Sequence, residues 1–187
     1  MKRITTLVLA AGIAAAAALA APTAAHAEET TCRGSLGAVT VDNLRVPQGA
    51  TCTLNGTRVK GTLKVENNAT LKATRINVIG NVQAENARSV QISSSTINQA
   101  VQIVQGGGAS LTGNKIGGTL LYDDNNLRLV ANNNTIDGDL QAFQNTGGVQ
   151  LRSNRIDGNL QCKENRPAPT GGGNIVQGNK EDQCARL

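Results

Sequence analysis

The sequence is poor in the residue types on which most side-chain chemistry and most ring stacking depend. It contains one His, one Met, one Tyr, one Phe and no Trp. Met1 and His26 both fall in an N-terminal stretch laid out like an export signal. Lys2-Arg3 is followed by an Ala/Leu-rich apolar run from Leu7 to Ala21, then by Ala25-His26-Ala27 as a small-x-small cleavage pattern ahead of Glu28-Glu29. Residues 1–27 are therefore expected to be a signal peptide and the protein to be secreted. Cleavage would remove Lys2 and Arg3 but no acid, so the formal net charge falls from +5 to +3.

What remains has no imidazole, which excludes Ser-His-Asp and Cys-His nucleophilic catalysis and any His-containing zinc site. Two aromatics, Tyr122 and Phe143, are too few to build a stacking platform for single-stranded nucleic acid or sugars. A small, scattered positive charge is no electrostatic footprint for nucleic acid either, so no nucleic-acid partner is expected. Beyond the signal no apolar run approaches the roughly 20 residues of a membrane span. Cys32 follows Glu-Thr-Thr rather than a small-residue lipobox, which argues against a lipid anchor.

Glycine and asparagine are abundant, and they fall into register. Gly61, Gly80, Gln99, Gly118, Gly138, Gly158 and Gly178 recur at intervals of 19, 19, 19, 20, 20 and 20 residues. A short fixed period is the signature of a solenoid. With these residues as position zero, other columns align. Position −2 holds Val59, Val78, Ile97, Ile116, Ile136, Ile156 and Val176. Position +2 holds Leu63, Val82, Val101, Leu120, Leu140 and Leu160, and +4 holds Val65, Ala84, Ile103, Tyr122, Ala142 and Cys162. Positions −9 and −7 are equally apolar, from Cys52 and Leu54 to Val149 and Leu151.

Alternation of apolar and polar residues in short, β-branched segments separated by Gly and Asn reads as strands, two per coil. The expected fold is an all-β, single parallel β-helix of six to seven coils of 19–20 residues. Residues 28–45 would form an N-terminal cap, 46–165 the coils, and 166–187 a C-terminal coil and cap.

Position −4 holds Asn114, Asn134, Asn154 and Asn174, after Thr57, Ile76 and Ser95. Asn tolerates left-handed backbone at corners, and stacked amides can hydrogen-bond along a ladder. With the Asn-x-[Ile/Val]-x-Gly motif of Asn134–Gly138 and Asn154–Gly158, the chain resembles the secreted right-handed parallel β-helix proteins, pectate lyases among them. The likeness covers about residues 46–165 and implies a right-handed architecture rather than an activity. The segment from Thr62 to Val82 is also similar to the polymer-forming bactofilin type, whose members are cytosolic.

Four cysteines in an exported chain imply two disulfides. Three connectivities are possible, and the register selects one. Cys52 and Cys162 sit in inward columns of the first and last well-formed coils, with Cys32 and Cys184 about one coil away on the outer side of each. Cys32–Cys52 and Cys162–Cys184 would then pin the two ends.

Positions −1, +1 and +3 are expected to face outward. They carry two candidate sites. Asp137, Asp139 and Asp157 form a carboxylate cluster that could hold Ca²⁺ or supply the acid and base of a polysaccharide lyase or glycoside hydrolase, with Arg152 and Arg155 nearby. Gln83, Gln102, Gln141 and Gln161 form a column interrupted by Leu121 and flanked by Asn81, Asn98 and Asn159. That amide surface is suited to a repetitive polar ligand such as cell-wall or extracellular polysaccharide. Only Thr62 and Thr119 occupy the +1 column, so no regular threonine array for ice is expected there. Gly106-Gly107-Gly108 and Asp123-Asp124-Asn125-Asn126 read as turns, not phosphate loops. The expected function is a secreted, non-catalytic structural or surface-interaction module with no cofactor, the Asp-cluster enzyme being the alternative.

Overall fold

The computed structural model describes residues 28–187, so the expected signal segment lies outside the described residues. Inward columns need a continuous partner surface, and the chain provides it by winding into stacked coils. Every strand pair is parallel and joins residues one coil apart, as in Val82↔Val101 and Leu120↔Leu140. The result is a parallel β-solenoid of about eight turns with three sheets and, among the described residues, no helix.

The first sheet has nine strands, from Glu29–Thr31 through Asn43–Val46, Leu63–Val65, Val82–Glu85, Val101–Val104, Leu120–Asp123, Leu140–Phe143 and Leu160–Lys163 to Lys180–Asp182. The second has eight, running from Gly34–Leu36 and Thr51–Asn55 to Val149–Arg152 and Thr170–Gly172. The third is built from two-residue strands, from Thr40–Val41 to Ile175–Val176.

Two expectations on architecture need correction. Each coil has three strands rather than two, because the −3 and −2 positions pair as a short sheet of their own, for example Thr135-Ile136 on Lys115-Ile116. There are also about eight turns rather than six to seven. Residues 29–41 carry one strand of each sheet, and Asp42 takes the place that glycine takes elsewhere: its carbonyl accepts from the Gly61 N–H.

The core is the set of inward columns. The expected residues at −9, −7, +2 and +4 are all buried, as are those at −2 up to Ile156. Tyr122 is the one bulky ring inside. Its register neighbours are Ile103 and Ala142, and the small alanine leaves it room. Its hydroxyl donates to the Val130 carbonyl at 3.0 Å, and burial pushes its pKa well up.

Corners are held by amides. Asn134 Oδ1 accepts from the backbone N–H and from Nδ2 of Asn114, while Asn134 Nδ2 donates to Asn154 Oδ1 and to the Leu111 carbonyl. The same pattern links Asn154 to Asn174. The ladder asparagines are not themselves the left-handed residues. That conformation falls one position earlier, at Gly113, Asn133, Ser153 and Gly173, with φ of 67°, 55°, 54° and 69°.

A second ladder at the corner between the first and second sheets was not foreseen. Asn125, Asn145 and Asn165 repeat the bonding at spacing 20, and Gln183 Oε1 closes it by accepting from Asn165 N and Nδ2. The Asp123–Asn126 segment is thus more than a surface turn, since Asn125 is fully buried.

Close approach, not φ, favours glycine at position zero, although Gln99 and Asp42 also stand in that column. A Cβ on Gly158 would lie 2.7 Å from the Gly138 carbonyl oxygen and 2.3 Å from Asp139 Oδ1. Both expected disulfides are present, Cys32–Cys52 and Cys162–Cys184, with Cα separations of 5.6 and 5.3 Å. They tie the first and last coils to their neighbours, where a solenoid otherwise presents an open apolar end.

Candidate functional site

Of the columns expected to face outward, only +3 lies on a flat sheet. The −1 residues sit at the bend after the third sheet, and the +1 residues lie half-buried in the turn into the first sheet. That placement gives +1 side chains a structural role. Asn43, Asn81 and Asn159 each accept, through Oδ1, from a backbone N–H one coil further on.

Asp139 belongs to the same series. Its Oδ1 accepts from the Asn159 N–H at 2.7 Å, so one carboxylate oxygen holds the coil together. Asp157 lies 3.8 Å from the Arg155 guanidinium at the surface, and Asp137 is exposed on the preceding coil. Among the described residues, no group of three or more His, Cys, Asp or Glu side chains is arranged to hold a metal ion. The three aspartates are near one another in register but do not converge.

The +3 column is a continuous stripe on the outer face of the first sheet. In register it runs Thr31, Arg45, Lys64, Gln83, Gln102, Leu121, Gln141, Gln161 and Glu181. At its C-terminal end the amides form a chain: Gln141 Nε2 donates to Gln161 Oε1, and Gln161 Nε2 donates to Glu181 Oε2, both at 2.8 Å. At the other end Arg45 is flanked by Glu29 at 2.9 Å and Glu66 at 3.5 Å. Between these ends lies an open groove of about 530 Å³ whose lining includes Gln48, Lys64, Glu66, Gln83, Glu85 and Gln102. The structure therefore brings Gln83 and Gln102 together in the groove and joins Gln141 to Gln161 beyond it, with Leu121 between the pairs.

The +5 column beside the stripe carries Val104, Asp123, Phe143 and Lys163 in successive coils. Burial pushes the Asp123 carboxyl above the ordinary carboxylate range, and the neighbouring Asp124 adds to the shift. Phe143 is half-buried rather than in the core, because four-residue alternation from Leu140 turns it outward with Gln141. The outward positions of the second sheet were also overlooked: Thr51, Thr53, Thr70, Thr74, Ser89, Ser93, Ser110 and Thr112 make it rich in hydroxyls. Period-two alternation from the −9 and −7 columns was the available signal for it.

No family model, curated protein or solved structure matches this chain. The likenesses to pectate-lyase-type and bactofilin-type coils therefore extend no further than a parallel β-solenoid.

Proposed function

We propose that this protein is a secreted, non-catalytic β-solenoid that holds an extended polysaccharide of the cell envelope or its exterior along the outer face of its first sheet. The observation that carries this reading is the amide stripe. Gln141 and Gln161 are oriented by a hydrogen-bonded chain ending on Glu181, and Gln83 and Gln102 line the adjoining groove. Within each of the two glutamine pairs, amides one coil apart present donors and acceptors at a repeat of roughly 4.8 Å, which suits a linear polymer of hydroxyls better than a compact ligand. The two disulfides fit an oxidising, extracellular compartment.

The test is sedimentation with purified cell wall and with insoluble polysaccharides. Binding is expected to weaken when Gln83, Gln102 and Gln141 are changed together to Glu, because the donors are lost and charge is added. Unaltered binding by the triple variant rejects the amide stripe. The competing enzyme reading rests on Asp137, Asp139 and Asp157, and the structural use of Asp139 weighs against it. It predicts release of reducing or unsaturated ends from acidic polysaccharides that disappears in Asp137→Ala/Asp157→Ala.

A further inference from the structure

The outer face of the first sheet is not uniformly polar. Its outward aliphatic and aromatic residues, Val104, Leu121 and Phe143, fall in three consecutive coils, and all are half-buried. Leu121 breaks the glutamine column between Gln102 and Gln141. Val104 and Phe143 stand on either side of Asp123 in the next column. A depression of about 330 Å³ opens there, lined by Asp123, Phe143, Gln144, Lys163 and Glu164. Ligand sites combine an apolar or aromatic floor with a few convergent polar groups, and this depression beside the stripe sets an aromatic ring among charged and amide side chains.

We propose that Phe143, a lone ring and so no extended stacking platform, is the floor of a single sugar-ring subsite, taking one pyranose of a neutral β-1,4-linked polysaccharide whose neighbouring units run along the glutamine stripe. The subsite rests on the polysaccharide reading above and narrows it. Phe143 supplies the aromatic lining of the depression, with half-buried Leu121 outward in the adjoining column one coil earlier, and an apolar surface of this kind matches the C–H face of a pyranose with all substituents equatorial. Gln144 Nε2 donates to Glu164 Oε2 at 3.2 Å, which leaves its second amide hydrogen as a donor and the Asp123 and Glu164 carboxylates as acceptors for the ring hydroxyls around the rim. Charge selects the class of polymer. Asp123 and Glu164 against the single lining cation Lys163 leave the depression net negative, which repels uronates and favours neutral sugars. Linear shape selects it too, since a β-1,4 chain of equatorial linkages is extended like the sheet face it lies on.

The chain's composition makes the test clean. Phe143 is the only Phe, Tyr122 is fully buried, and there is no Trp, so the Phe143 ring resonances are unambiguous. The purified protein, with both disulfides formed, is titrated with chitopentaose and with cellopentaose, and with pentagalacturonate as the acidic, axially linked comparison. The expected result is saturable movement of the Phe143 ring signals with the neutral oligomers and none with the galacturonate. Phe143→Ala should weaken binding roughly tenfold, equivalent to about 1.4 kcal/mol. Phe143→Trp, which enlarges the floor, should tighten it and report binding through its fluorescence. If the wild type binds these polymers while the ring signals stay still and Phe143→Ala binds equally, the subsite is wrong and the amide stripe stands. If neither chitin nor cellulose nor their oligomers bind, the subsite is wrong; failure on every cell-wall polymer removes the broader reading as well. Ring shifts of equal size with pentagalacturonate would overturn the assigned sugar class.

Discussion

Asn134→Ala removes a mid-solenoid rung whose every bond is known. The side chain is 1 % exposed. Its Oδ1 accepts from Asn114 N at 3.0 Å and Asn114 Nδ2 at 3.1 Å, and its Nδ2 donates to the Leu111 carbonyl at 2.9 Å and to Asn154 Oδ1 at 3.1 Å. Alanine orphans the buried Asn114 N–H outright, at a cost of about 1–3 kcal/mol. Asn114 Nδ2 keeps its bond to the Ile92 carbonyl, and Asn154 Oδ1 keeps the Asn134 N–H. Those groups and the Leu111 carbonyl are weakened rather than abandoned, adding about 0.5–1 kcal/mol each. The expected loss is about 2.5–6 kcal/mol, which at a urea m-value near 2 kcal/mol/M lowers the midpoint by roughly 1.3–3 M.

Asn134→Asp sharpens the test because it keeps the shape. Its second oxygen would face two acceptors, so the native state holds the proton and the folded pKa rises above the unfolded value of about 3.9. A raised acid pKa means the native state binds more protons, so stability falls as pH rises from about 4 and then levels off above the folded pKa. The variant should approach the wild type at pH 3 and lose most at neutral pH. Urea unfolding of Asn134→Ala, Asn134→Asp and the exposed-turn control Asn67→Ala, disulfides intact, measures this. An Asn134→Ala loss no larger than that of Asn67→Ala would refute the ladder argument.

Other expectations follow from single contacts. Gly158→Ala puts a Cβ against the Gly138 carbonyl and Asp139 Oδ1, and should destabilise by about 2 kcal/mol or more in the same unfolding assay. Replacing Cys32 and Cys52, or Cys162 and Cys184, with Ser opens loops of 20 and 22 residues and should cost about 3 kcal/mol per bridge by calorimetry. Asp123, whose pKa is raised, contributes stability present at low pH and lost as pH rises past the ordinary carboxylate value. Asp123→Asn should remove that part of the pH profile, measured as urea midpoint against pH.

Much of the fold was legible because each inward column is chemically uniform. Val, Ile, Leu and Ala recur at one spacing, and a strand period of two leaves little choice of face. The cysteines were legible for the same reason, since a register that stacks columns also stacks sulfurs. The third sheet was not legible as a sheet, because two residues per coil carry no alternation to read. The second ladder was hidden by its beginning: Ala87 and Gly106 hold that corner before Asn125, and Asn145 and Asn165 continue it only in the 20-residue coils. The candidate site suffered from a turn. Counting by twos from Leu140 places Asp139 outward, but the chain bends there, and its carboxylate turns back to bond the next coil.

That bend decides what kind of function the face can support. In a solenoid, side chains beside a bend are recruited to satisfy backbone donors, so their polarity is spent on the fold. Side chains at the middle of a sheet face have their backbone groups already paired within the ladder, so their polarity remains available. Asp139 belongs to the first class, and Gln83 and Gln102 belong to the second. Gln141 and Gln161 fall between them: each donates one amide hydrogen along the stripe, which fixes the amide plane while leaving other positions open. A face oriented this way loses little rotamer freedom on meeting a polymer, so its affinity grows with the number of coils engaged. Shortening the polymer should therefore weaken binding progressively, whereas an isolated pocket would reach full affinity once one sugar unit is filled.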